Sequence, residues 1–178
     1  MFKTRFAVLL GMVLAAAASR LLPHPPNLTP IAAMALFGGA YFADRRAAFL
    51  VPLAAMFLSD LVIGLHRGMP EVYGCFALTV CIGFWLRTRR TLLPVAGAAL
   101  AGSLLFFIVT NFGVWALGSL YPKTVEGLIA CYLAAVPFFK NTLIGDAFYT
   151  AVLFGGFALA ERRFPVLREA DAAVQRDR

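Results

Sequence analysis

Apolar residues in this chain come in long blocks. They show neither the alternation of a half-exposed strand nor the narrow stripe of a surface helix. Six blocks stand out, at roughly 5–21, 30–43, 47–65, 70–87, 92–118 and 137–160. A helix needs about 20 residues to cross hydrocarbon, so each block is read as a membrane helix. The second, "TPIAAMALFGGAYFA", is short for that task. It is expected inside the bundle or partly re-entrant, where protein rather than lipid covers the backbone. The fifth is long enough to tilt or to protrude. Between the fifth and sixth, residues 125–136 read as a half-buried helix, separated from the sixth block by Pro137, because a proline ring crowds the preceding turn. The expected fold is all-α: an integral membrane bundle of six transmembrane helices over residues 1–164, then a polar cytoplasmic tail over 165–178, either a short helix or disordered.

Composition strengthens the membrane reading. Hydrophobic residues make up 61% of the 178 and charged residues 14%, where a soluble domain has about half and a quarter. The net charge of +7 would suit nucleic acid if it formed one basic face. It lies instead in short clusters between apolar blocks, so no nucleic-acid partner is expected. With the N-terminus inside, Lys3, Arg5, Arg45, Arg46, Arg87, Arg89, Arg90, Arg162, Arg163, Arg168, Arg176 and Arg178 all fall on one side. Only Arg20, Arg67, Lys123 and Lys140 fall on the other, four of the sixteen basic residues. Such a bias marks the cytoplasmic face. Both termini are therefore expected inside, in a multi-pass protein of a bacterial cytoplasmic (inner) membrane. The first block imitates a secretory signal, with Lys3, Arg5 and "AAAAS". Cleavage is not expected, since it would leave five spans and upset the alternation.

On this topology the polar side chains collect at the outer face. His24 sits on a strap, "LLPHPPNLTP", that its prolines stiffen. Asn27, Asp60, His66, Arg67, Glu71, Tyr73 and Cys75 come next on the same side, then Asn111, Trp115, Lys123, Glu126, Lys140, Asn141 and Asp146. Polar groups this deep in a membrane protein are costly unless used. Each also has a plainer use. A loop histidine is commonly solvated; Asp60 has Arg67 and Lys140 as possible partners; Asn111 can bond a neighbouring helix. Cys75, Cys81 and Cys131 are too few and scattered for a disulfide framework, and Cys81 and Cys131 read as packing residues. In the first helix Ala7, Gly11, Ala15 and Ser19 recur every fourth position on one face. That face serves either internal packing or docking of another membrane protein.

No metalloprotease, hydrolase, Walker or dinucleotide signature is present, so the chain is read as primarily a transporter. The stretches "RLLPHPPNLTPIAAMALFGGAYF", "FLVPLAAMFLSDLVIGLH" and "NTLIGDAFYTAVLFGGFALAER" resemble a family of small membrane transport proteins related to the S-components of energy-coupling-factor vitamin transporters. The likeness spans roughly residues 20–162. Within that group the chain is similar to the solitary cobalamin transporters of the BtuM type. The resemblance implies six helices with both ends inside, a vitamin pocket at the outer face, and cobalamin (vitamin B12) as the ligand. Cys75 and His24 would ligate the corrin cobalt from its two faces. Asp60, Tyr73, Asn111, Asn141 and Asp146 are candidates for holding the ring and its amides. Ala7, Gly11, Ala15 and Ser19 would dock an energy-coupling membrane subunit with its ATPases. Thiolate and imidazole both suit such a metal. Thiolate donation could also labilise a cyanide on the opposite face, an accessory decyanation. Nearby positive charge, such as Arg67, would favour the thiolate. No cofactor of its own is expected. Two other readings stay open: an S-component for another small vitamin or precursor, and a structural membrane subunit acting through the first helix.

Overall fold

The computed structural model describes residues 2–66 and 68–168. Arg67, Arg176, Arg178 and the rest of the tail from 169 lie outside the described residues. The described chain is all-helical. Its elements are α1 (Phe2–Ser19), α2 (Ile31–Tyr41), α3 (Arg45–Ile63), α4 (Met69–Trp85), α5 (Leu92–Leu117), α6 (Val125–Thr150) and α7 (Gly156–Arg163). A π-helical turn, Ala151–Gly155, joins α6 to α7, and short 3-10 turns come after α4 and α7.

Four helical segments among the described residues are long and apolar enough to cross a membrane: Arg45–Ile63, Met69–Thr88, Leu92–Leu117 and Val125–Arg163. Only 28% to 33% of their most apolar stretches is buried within the protein. The remainder turns outward, with Val62, Leu92, Leu117 and Leu133 each more than 60% exposed. A water-soluble monomer rarely exposes apolar surface on that scale; lipid is its natural cover.

Sequence patterning anticipates six blocks, and α2 is the one that departs most from a crossing helix. It has eleven residues, and Ala33 to Tyr41 are all buried. It threads the bundle against α4 and α3. Glycines make this possible. A Cβ on Gly39 would collide with the Val80 carbonyl oxygen, and one on Gly83 would lie 2.5 Å from that of Leu36. The backbones of α2 and α4 therefore touch, as small residues allow in membrane bundles. Phe37 and Tyr41 then pack edge-on or tilted against Phe154 and Phe157, with centroids 4.8 to 5.8 Å apart.

Pro137 does not break the chain in two. Helix α6 runs through it from Val125 to Thr150. A proline removes one N–H and strains one turn, which a well-packed membrane helix absorbs. Hence the half-buried helix expected at 125–136 and the span expected at 137–160 are one rod of 39 residues. At 1.5 Å per residue it extends about 58 Å, nearly twice the roughly 30 Å of hydrocarbon. Its first turns pair with the end of α5: Tyr132 Oη donates to the Ile108 carbonyl at 2.6 Å, and Trp115 Nε1 to that of Pro122 at 2.9 Å.

Arginines close the opposite end. Arg87 caps the end of α2, donating to Gly39 O at 3.1 Å and Phe42 O at 2.7 Å. Arg5 pairs with Glu161 at 2.8 Å, donates to the Leu167 carbonyl and lies over the Phe157 ring. The beginning of the polar tail thus packs back onto α1.

Candidate functional site

Away from the arginines, α4, α5 and α6 part around a cavity of about 740 Å³, within the range of small-molecule sites. The α5–α6 hairpin walls one side of it. Helix α4 contributes Glu71 and Val72 from its first turn. From α5 and α6 come Phe106, Phe107, Phe138 and Phe139. Thr110, Asn111 and Thr142 supply polar groups among them, and Asn27 and His66 stand on the connecting loops. Phe107 lies 4.5 Å from Phe139 and 5.5 Å from Tyr132, centroid to centroid. The wall is thus an aromatic surface with hydroxyl, amide and carboxylate groups set into it.

Local structure explains how the first loop reaches this place. Asn27 has φ 64°, a left-handed conformation that asparagine tolerates better than most residues. The loop then lies along α6, where Asn141 Nδ2 donates to the Pro26 carbonyl at 3.0 Å. Gly145 permits the approach: a Cβ there would sit 3.1 Å from Leu28 Cα and Thr29 N.

The residues expected to act together divide into separate groups. Asn111 lines the cavity, with its Nδ2 tied to the Phe107 carbonyl at 2.7 Å. Asp60 and Tyr73 do not line it. Asp60 Oδ1 accepts from Arg20 at 2.7 Å, and Oδ2 accepts from Tyr73 at 2.8 Å. Arg20 also donates to Ser59 and to the Met56 carbonyl. The plainer reading of Asp60 is therefore corrected in its partner. Arg20, at the end of α1, is its partner rather than Lys140 and locks α1, α3 and α4 together, while Arg67 lies outside the described residues. Asn141 is occupied in holding the first loop. Asp146 lies elsewhere, on a second cavity between α5 and α6.

Cys75 is 1% exposed and not part of the cavity lining. It comes four residues after Glu71 and three after Val72, which places it one turn beyond them on the same face of α4. His24 is exposed on its loop, its Nδ1 2.7 Å from the Leu22 carbonyl oxygen. Among the described residues no three His, Cys, Asp or Glu side chains gather as a metal-holding group. Cys81 is exposed rather than packed; it sits about 120° round α4 from Cys75. Cys131 is buried, with Sγ 3.5 Å from the Asn111 carbonyl oxygen. On α1, Ala7, Gly11 and Ala15 are exposed, and a Cβ on Gly11 would meet nothing within 4 Å. Internal packing uses Leu9, Val13 and Ala16 instead. Ser19 departs from that outward face, its hydroxyl 3.0 Å from the Tyr149 hydroxyl.

Sequence reasoning put Glu71 at the opening of α4 but not among the ligand-holding residues. Its Oε2 is buried with no hydrogen-bond partner among the described residues, and its side chain packs against Gly113 at the cavity wall. An aromatic lining of Phe and Tyr is expected from the sequence, but not which phenylalanines form it. Its signal is the doublet "FF" at 106–107 and again at 138–139, flanking the hairpin.

Residues 1–167 match the family of unknown function DUF6580, and the chain belongs to that family. No curated protein and no solved structure matches it.

Proposed function

We propose that this DUF6580 member is a membrane uptake protein that binds cobalamin in the cavity between α4, α5 and α6. The observation carrying this reading is the position of Cys75, one helical turn beyond the cavity-lining Glu71 and Val72. A corrin ring arrives with its cobalt already held by four ring nitrogens. The protein then needs to supply at most an axial ligand on each face, so a cluster of three metal ligands is not required. A soft thiolate donor serves on one face and the His24 imidazole on the other. Phe106, Phe107, Phe138 and Phe139 would cover the apolar ring edge, while Glu71 and Asn111 would meet the peripheral amides. Ligand entry would shift the first turns of α4 to bring the thiol to the metal, and the loop bearing His24 would fold over the mouth. In cyanocobalamin the face opposite the thiolate is held by cyanide; thiolate donation would weaken that bond, the cyanide would leave as its anion with the bonding pair, and the His24 imidazole would take the vacated position.

In this reading the arginine end faces the cytoplasm and the cavity opens outward. The exposed Ala7, Gly11 and Ala15 face would dock a membrane partner, such as an energy-coupling subunit with its ATPases. A second reading, an S-component for a different small vitamin, draws on the burial of Cys75 outside the lining, because such a ligand would need no thiolate. Purification from cells grown with cyanocobalamin, alongside uptake of other labelled vitamins, separates the two. Co-purified corrinoid is the expected result. Selective uptake of another vitamin, unaffected by Cys75→Ala, would replace cobalamin with that ligand.

A further inference from the structure

The second cavity, of about 500 Å³, opens between α5 and α6 and is lined almost entirely by apolar side chains. Three polar groups face it: Ser103, Asp146 and Thr150. Asp146 is 4% exposed and Ser103 1%. No cation among the described residues pairs with Asp146, in contrast to Asp60 with its Arg20. A carboxylate so placed is expensive as an anion and cheap as a neutral acid.

The hydrogen bonding offers both states. Ser103 Oγ lies 2.6 Å from Asp146 Oδ2 and 3.0 Å from the Ala99 carbonyl oxygen. A serine hydroxyl has one hydrogen to donate, so it cannot serve both acceptors at once. With Asp146 ionised, the Ser103 hydrogen goes to the carboxylate. With Asp146 protonated, the acid O–H donates to Ser103, whose own hydrogen turns to Ala99. Uptake or loss of a proton thus needs only the rotation of one hydroxyl. One turn along α6 from Asp146, Thr150 Oγ1 is buried with no partner among the described residues, a further oxygen available on the same face.

We infer that Ser103, Asp146 and Thr150 form an exchangeable proton-binding site within the membrane part of the protein, reached through the cavity between α5 and α6. Among the described residues no other titratable or charged side chain lines this cavity. Tyr149, next to Thr150 on α6, is engaged with Ser19 of α1. From α2, Tyr41 packs on Phe154 and beneath Arg90; from α4, Thr79 meets α5 at Gly102. Protonation would remove, and deprotonation restore, a negative charge between the two helices that also wall the larger cavity, which gives a means of biasing their packing. This inference is independent of the ligand's identity.

The test is infrared difference spectroscopy of the purified protein, without vitamin, across the pH range in which it stays folded. The expected result is a protonated-carboxyl band that titrates and is absent in Asp146→Asn. Thr150→Val and Ser103→Ala keep the carboxyl and should move the midpoint; either suffices should the Asn variant fail to fold. A wild-type spectrum matching that of Asp146→Asn at every pH would overturn the inference. So would a carboxyl band that never titrates, or a midpoint that neither hydroxyl variant moves.

Discussion

The two ends of the bundle treat polar groups differently. At the arginine end Arg87 caps α2, Arg5 pairs with Glu161, and Arg90 lies over Tyr41 with its guanidinium carbon 4.6 Å from the ring centre. Glycine against glycine brings α2 and α4 into backbone contact nearby. At the other end α4, α5 and α6 part around a cavity of about 740 Å³, and Glu71 Oε2 is buried beside it with no hydrogen-bond partner among the described residues. One end converts polar side chains into closure. The other sets polar side chains on the wall of a cavity, where a ligand can meet them. Stability and binding should therefore respond to substitutions at different places.

The largest stability effect is expected at the lock that supports α4 from behind. Arg20→Ala strands the buried Asp60 carboxylate and should cost about 3–5 kcal/mol, read as a lowered unfolding midpoint in detergent. Gly83→Ala tests the closed end directly. The added methyl collides with the α2 backbone and should cost about 1–3 kcal/mol. It should leave ligand affinity in the surviving folded fraction unchanged, as titration would measure. Phe107→Ala sharpens the contrast from the open side: ligand affinity should fall about five- to thirtyfold, the effect of truncating an aromatic anchor worth about 1–2 kcal/mol. Equal loss of affinity in Gly83→Ala and Phe107→Ala would erase the distinction between the ends. The smallest effect on the isolated protein belongs to Gly11→Leu. It faces open space, so stability and ligand binding should be unaltered while uptake in cells falls if α1 docks a partner.

Much of the helical layout was legible in the sequence because hydrophobic runs report length. Breaks at Arg20 to Pro30, at Gly64 to Gly68 and at Thr88 to Thr91 separate the helices close to where the chain turns. The burial of α2 was legible too, since a block spanning only about 30–43 is short for crossing lipid and is better covered by protein. Pro137 misled because proline rules describe isolated helices, whereas packing of α6 on α5 holds this one continuous. The site was only partly readable. Hydropathy places Asp60, Asn111 and Asp146 at related depths but does not tell which helix faces which. Rotation about the helix axes sends Asp60 to Arg20, Asn111 to the larger cavity and Asp146 to the smaller one. Glu71 carried no mark in the sequence beyond its place in the first turn of α4. Its significance lies in an oxygen without a partner, which only the packed structure reveals.

The most direct measurement is the visible absorbance spectrum of the purified protein with cyanocobalamin, recorded for the wild type and for Cys75→Ala. Thiolate ligation of cobalt predicts a spectrum distinct from that of free vitamin in the wild type, and reversion to the free or weakly perturbed form in the variant. Identical spectra for both proteins, whether the vitamin is bound or not, would contradict Cys75 as the ligand and the proposed chemistry of the cavity.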